Sequence, residues 1–169
     1  MTSQPPEQLI ICDASPLILL AKISHADLVL KLAHEVWIPD VVWEELTLKS
    51  GAQPEIPTLV ALFSSCVRQS DEAIRKVFQT QVDAGEAAAL ALAIHQPHAL
   101  LLMDDRRGRL LAANQGLRCT GTLGLLLRAK RQGHVKALSP LIQSLRLHGM
   151  FLSAELENEA LHAAGEEMP

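Results

Sequence analysis

Short apolar runs alternate with longer stretches of helical periodicity along the chain. Leu9-Ile-Ile-Cys-Asp13 is brief, continuous and β-branched-rich, which predicts a buried strand. Ser15-Pro16 follows; serine at an N-cap with proline at the first position predicts a helix through Leu17 to about Ile23. A second apolar helix is expected from Ala26 to Ala33, then a strand from Glu35 closed by Pro39, then a helix capped by Asp40 and running through Leu48. Gly51 to Pro57 reads as a loop, 58–64 as a helical turn and Cys66 to Gln69 as a short strand. Asp71 opens a helix to about Gln81, and Gly85 to Ile94 is an alanine-rich helix. Ala99 to Met103 is a second buried strand. Beyond it lie a helix from Arg106 to Asn114, a strand from Leu117 to Thr120 and a helix from Thr122 to Arg131. Two more helices fall near Pro140 to Leu147 and Ala154 to Ala163. Strands this short and apolar, alternating with helices, predict an α/β fold whose mainly parallel sheet is covered on both faces.

The 169 residues fit one domain with a sizeable core. Apolar residues make up 49% and charged residues 20%, which excludes a disordered chain. Aromatics are only 3%, too few for a nucleic-acid binder built on an array of stacking rings. Cys12, Cys66 and Cys119 form no CxxC and fit reduced, buried thiols of a cytoplasmic protein. The opening MTSQPPEQ has no basic residue for a signal peptide, and no apolar run reaches the roughly 18 residues of a membrane span.

The net charge of −4 hides a split. Residues 1–105 carry fourteen acids and six bases, whereas 106–154 carry nine bases and no acid. The last fifteen residues hold five acids and no base, and read as a loosely attached acidic helix that could cover the basic block. A one-sign block of this length is either a solvated face or a surface for a polyanion.

Two predicted strands end in aspartate, at Asp13 and at Asp104, so both carboxylates belong to the same sheet edge, where open α/β sheets bind ligands. Ser15 is the better cap for the first helix, which leaves Asp13 without a structural role. Asp105 can cap the helix starting at Arg106 and free Asp104, though the adjacent acids leave that division open. On a helix from Asp40, Glu45 falls among Val41, Val42 and Leu48, the apolar face, and Glu44 on the polar one. A carboxylate on a buried face costs several kcal/mol unless a cation or strong donors meet it. Glu86 shares a face with Leu90, Ala93 and Ile94, although Asp83-x-x-Glu86 also matches a capping box. Asp13, Glu45, Glu86 and Asp104 or Asp105 would repel one another at one edge unless divalent cations neutralised them. Oxygen donors suit Mg²⁺ or Mn²⁺, and phosphodiester hydrolysis is the chemistry that uses such a cluster. Arg106, Arg107 and Arg109 follow directly and could hold a phosphate backbone.

With these residues in place the chain resembles PIN-domain proteins of the VapC-like kind. The resemblance rests on Asp13-Ala-Ser-Pro-Leu-Ile, Ile38-Pro-Asp-Val-Val-Trp-Glu-Glu45-Leu, Gly85-Glu86-Ala-Ala-Ala-Leu-Ala-Leu-Ala, Leu100-Leu-Leu-Met-Asp104-Asp105-Arg-Arg and Gly121-Thr-Leu-Gly124. These segments occur in the family's order and cover roughly residues 9–150, which sets a nuclease domain over 1–150 and an acidic tail over 151–169. The resemblance implies a three-layer α/β/α sandwich and a Mg²⁺- or Mn²⁺-dependent ribonuclease, many relatives being toxins beside a cognate antitoxin. By position it implies catalytic roles for Asp13, Glu45, Glu86 and Asp104, and metal ligation by Asp13, Glu86 and either Asp104 or Asp105. Ser15 matches the polar residue that accompanies the first acid. The third acid is glutamate where the family usually has aspartate, which adds one methylene of reach.

Other readings carry less. A non-catalytic PIN-like module that binds RNA or protein through the basic block is the main alternative. A phosphatase with Asp13 as nucleophile lacks a second aspartate in Asp13-Ala-Ser15. His95-Gln-Pro-His98 reads as a surface turn, and Gly121-Thr-Leu-Gly124 as a strand-to-helix turn with Thr122 as cap. No GxSxG elbow is present. The apolar N-terminal helices leave room for a homodimer contact or an antitoxin segment, and nothing calls for a membrane.

Overall fold

A computed structural model describes residues 8–49, 51 and 53–167. Five parallel strands form its sheet: β1 (Leu9–Cys12), β2 (Glu35–Pro39), β3 (Val67–Arg68), β4 (Leu100–Leu102) and β5 (Arg118–Thr120). Their order is β3-β2-β1-β4-β5. The chain winds outward in one direction from β1 to β3 and then crosses back to β4 on the other side of β1. The order therefore reverses between β1 and β4, whose register pairs Cys12 with Leu102. That is the place where an open α/β sheet leaves a crevice beyond its carboxyl ends.

Strand alternation sends successive side chains to opposite faces. Ile10, Cys12 and Leu102 enter one hydrophobic cluster, and Ile11, Leu101 and Met103 enter the other. The first cluster packs the sheet against α1 (Ala14–Lys22), α2 (Leu28–Leu32), α4 (Ile56–Phe63), α8 (Thr122–Arg131), α9 (Ser139–Leu147) and α10 (Ala154–Ala163). The second packs it against α6 (Ala84–Ala93) and α7 (Arg106–Asn114), with Phe78 of α5 (Glu72–Phe78). The result is the expected three-layer α/β/α sandwich. Leucine and isoleucine fill the first face. Ala87, Ala89 and Ala93 of α6 fill the second, and small side chains there let the helix backbone lie close to the strands.

Side-chain caps open four of the ten α-helices among the described residues, and the local structure corrects three expectations. Asp71, Asp83, Asp105 and Ser153 each accept from a backbone amide at the start of α5, α6, α7 and α10. Ser15 does not cap α1: the helix begins at Ala14, so Asp13 stands in the cap position, and its side chain makes no cap hydrogen bond. Thr122 does not cap α8; Gly121 occupies that position, and Thr122 is the first residue inside the helix. The helix expected from Asp40 to Leu48 is α3 (Asp40–Glu44) continued by a wider π-helical turn, Glu45–Lys49. The wider turn changes the helical phase, so Leu48 leaves the apolar face and is 77% exposed.

The acidic C-terminal stretch is firmly packed rather than loose. Ala160 and Leu161 of α10 are buried in the first cluster. Glu157 pairs with Arg146 at 2.5 Å. Glu166 meets Lys130 and accepts from the amides of Leu138 and Ser139. Two bases of the basic block are thus neutralised within the fold. Among the described residues no helix is long and apolar enough to cross a membrane.

Candidate active site

Asp13 follows β1 directly, and its amide donates to the Leu102 carbonyl of β4 at 3.0 Å, which seats it at the reversal of strand order. The residue is only 5% exposed. Burial, opposed by the Ala14 backbone and reinforced by the charges of Asp83, Glu86 and Glu45, pushes its carboxyl up to about 7. No base figures among these influences, so the site has the character of an acid cluster.

Glu86 stands in the first turn of α6. Its amide donates to Asp83 Oδ1 at 2.8 Å, and its Oε2 accepts from the Asp83 amide at 3.3 Å. The capping box is therefore real, and Glu86 is nonetheless 7% exposed. Capping and burial coexist because the N-terminus of α6 points at the sheet edge. Burial first, then the charges of Asp83, Asp105 and Glu45, push this carboxyl also up to about 7.

Glu45 reaches the cluster from the junction of α3 and the π-helical turn. It is half-buried against α6: a Cβ added to Gly85 would lie 2.8 Å from Glu45 Oε2. Gly85 is thus the gap in an otherwise alanine-lined helix through which Glu45 approaches. Gly108 serves Glu86 similarly, since a Cβ there would lie 3.6 Å from Glu86 Cδ and collide with the Met103 sulfur.

The two adjacent aspartates have separate partners. Asp105 caps α7 by accepting from the Gly108 amide at 2.9 Å, and its charge bears on Glu86. Asp104 turns toward β5 and α8, where it accepts from the Thr122 amide at 2.7 Å and the Thr122 hydroxyl at 2.6 Å. Gly121 leaves room for this grip, because a Cβ there would stand 2.7 Å from Asp104 Oδ1.

Arg106, Arg107 and Arg109 are exposed on α7 and form no ion pair among the described residues. Arg106 and Arg109 line a groove with Asp104, whereas Arg107 faces Thr80, Gln81 and Val82 on the other side of the helix. Ser15 is exposed on the first turn of α1. His95 and His98 sit exposed in the turn after α6.

Similarity to known proteins fits this geometry. Residues 9–166 match the family model DUF3368, described as a PIN domain. The chain belongs to the PIN-domain family. No curated protein and no solved structure matches it significantly. The match carries a nuclease-type fold, and it extends through α10, beyond residue 150 where the motif resemblance ends.

In this PIN domain the donor set suits a hard divalent cation: the mutually repelling carboxylates of buried Asp13 and Glu86 and half-buried Glu45, joined by Asp105. Among the described residues no three histidine, cysteine or acidic side chains lie close enough to grip an ion as they stand. Mutual repulsion of like charges favours that spread. Sequence reasoning missed Asp83 as a member of the acid set, because its capping role explained it locally. It also missed Gly85 and the Thr122 grip on Asp104. A glycine inside an alanine helix is the signal that could have found the first.

Proposed function

We propose that this PIN domain is a Mg²⁺- or Mn²⁺-dependent endoribonuclease that hydrolyses RNA phosphodiester bonds. The observation that carries the reading is the pair of buried carboxyls, Asp13 and Glu86, both pushed up to about 7 by burial and by other acids. A cation is the partner that relieves such a cluster. Asp13, Glu45, Glu86 and Asp105 are the residues that would hold it, with Asp104 completing the set from the α8 side. When bound, a divalent ion supplies acidity to water and neutralises charge on a phosphate.

The chain's own groups do the rest. Thr122 fixes the direction of Asp104 by satisfying both of its oxygens. Arg106, Arg107 and Arg109 take backbone phosphates, and their lack of ion pairs leaves their charge available. The Ser15 hydroxyl, exposed two residues beyond Asp13, donates to the substrate. Ala87 and Met103, the chain neighbours of Glu86 and Asp104, are buried in the second hydrophobic cluster, and apolar surroundings strengthen electrostatic interactions. The finer reading is the toxin of a toxin–antitoxin pair in the cytoplasm, held in check by a cognate antitoxin and working as a homodimer. It rests on the likeness of the motifs around Asp13, Glu45 and Glu86 to VapC-like proteins.

The spread of the carboxylates favours a second reading, a non-catalytic module that binds RNA or protein. One experiment separates the two. Purified, antitoxin-free protein is incubated with structured RNAs in EDTA, Mg²⁺ and Mn²⁺, beside Asp13→Asn. Cleavage that requires both the metal and Asp13 supports the nuclease. Salt-sensitive RNA binding without cleavage under any ion supports the binding module.

A further inference from the structure

The chain has five aromatic side chains, and four of them are at least partly covered. Phe63 and Phe78 are buried in the core, and Trp37 and Trp43 are half-buried. Phe151, between α9 and α10, is 90% exposed. Its loop is well held. The Gly149 amide donates to the Arg146 carbonyl at 3.0 Å, the Met150 amide to the Leu145 carbonyl at 3.0 Å, and Arg146 Nη2 to the Leu152 carbonyl at 3.2 Å. Leu152 is buried directly after it, so the backbone presents the Phe151 ring outward by construction.

The ring lines a groove of about 910 Å³ together with Arg106, Arg109, Asp104 and Cys119. Asp104 follows β4 in that groove, at the same sheet edge as Asp13. Arg106 and Arg109 have no ion-pair partner among the described residues. An exposed ring on a hydrogen-bonded loop, lining one groove with two guanidinium groups that form no ion pair among the described residues, matches one nucleotide in two parts: a flat base to stack and a phosphate to neutralise.

We propose that Phe151, Arg106 and Arg109 form a subsite for one unpaired nucleotide of a single-stranded RNA. The base lies on the Phe151 ring, and its phosphate meets the two arginines. The proposal deepens the nuclease reading and rests on it for the choice of RNA. It makes the substrate a single strand, or a loop, at the position flanking the cut. The low aromatic content agrees with one such subsite rather than an array of them.

The test is binding of a short fluorescein-labelled 2′-O-methyl RNA of mixed sequence, in EDTA, read by anisotropy. Hydrolysis plays no part, so its failure and that of the nuclease reading are separable. Phe151→Ala should weaken binding by about tenfold, the scale of one lost base stack. Phe151→Leu should weaken it as much, because it keeps apolar area and loses the ring, and Phe151→Trp should keep wild-type affinity. The salt dependence should be unchanged in Phe151→Ala and shallower in Arg106→Ala/Arg109→Ala. The same RNA annealed to its complement should bind equally to wild type and Phe151→Ala. Wild-type affinity in Phe151→Leu, or equal loss on duplex, overturns the proposal. So does absence of RNA binding by the wild type at low salt, which would leave the patch to a protein partner. Retained Phe151 dependence in a protein that never cleaves RNA would sink the nuclease reading alone.

Discussion

Thr122 holds Asp104 at both carboxylate oxygens, through its amide at 2.7 Å and its hydroxyl at 2.6 Å. Thr122 is fully buried, so its hydroxyl has no water to turn to if the acid is lost. Thr122→Val keeps the shape and removes one charge-assisted hydrogen bond. It should lower stability by about 1.5–3 kcal/mol, measured by urea unfolding. If Asp104 serves the acid cluster, Mn²⁺ affinity by calorimetry should fall about tenfold as well. A stability loss with unchanged Mn²⁺ affinity would remove Asp104 from the ion's neighbourhood.

Gly85 and Glu45 offer a way to move an acid without breaking the fold. The Cβ of Gly85→Ala would lie 2.8 Å from Glu45 Oε2, the mobile end of a long side chain. The carboxylate has to swing aside, while α6 exchanges glycine for the best helix former. The expected result is a melting temperature equal to or above wild type, since Gly→Ala within a helix contributes up to about 1 kcal/mol. RNA cleavage should fall at least about tenfold, as expected when a catalytic group is displaced by about 1 Å. Undiminished cleavage in Gly85→Ala would mean that Glu45 takes no part.

Asp13 and Glu86 give the protein a distinctive pH dependence. Both hold their proton more tightly when folded, up to about 7, than an unfolded carboxyl does near 4. Between those values the native state binds more protons than the unfolded one, so stability falls as pH rises. The loss levels off above about pH 7. Asp13→Asn removes the charge and keeps the shape. It should be more stable than wild type by on the order of 1–3 kcal/mol at pH 8, with the gap closing toward pH 5. Added Mn²⁺ should stabilise wild type at pH 8 and leave Asp13→Asn unmoved. A constant difference across the pH range would show that the Asp13 carboxyl titrates normally.

Much of this arrangement was legible in the chain, for local reasons. Strands ending at Asp13 and just before Asp104 followed from short apolar runs, and shared strand direction then put both acids at one edge. The inward turn of Glu45 followed from its neighbours Val41 and Val42. Leu48 was misplaced because the switch to a π-helical turn at Glu45 leaves no mark in a 3.6-residue pattern. Thr122 was misread as a cap because capping rules see only the next few residues, and its partner lies 18 positions away. Ser15 lost the cap position because α1 starts one turn-quarter earlier, at Ala14. Asp83 satisfied a capping box and so concealed a second role that only the folded arrangement of α6 reveals.

The adjacency of Asp104 and Asp105 can be resolved by two isosteric variants. Asp105 caps α7 through the Gly108 amide and places its charge near Glu86. Asparagine caps about as well as aspartate, so Asp105→Asn should leave the melting temperature within a few degrees of wild type. It should also remove one of the charges that raise Glu86. If Asp105 is the ligand, Mn²⁺ affinity should drop by about tenfold or more and cleavage with it. In Asp104→Asn the amide nitrogen cannot accept, so one of the two Thr122 donors loses its partner inside the fold. That variant should therefore lose stability by about 1–3 kcal/mol whatever it does to the ion. The informative comparison is Mn²⁺ affinity at matched fractions folded. A loss confined to Asp105→Asn assigns the ligand to the capping aspartate. A loss confined to Asp104→Asn assigns it to the residue that Thr122 holds, and reduces Asp105 to a helix cap.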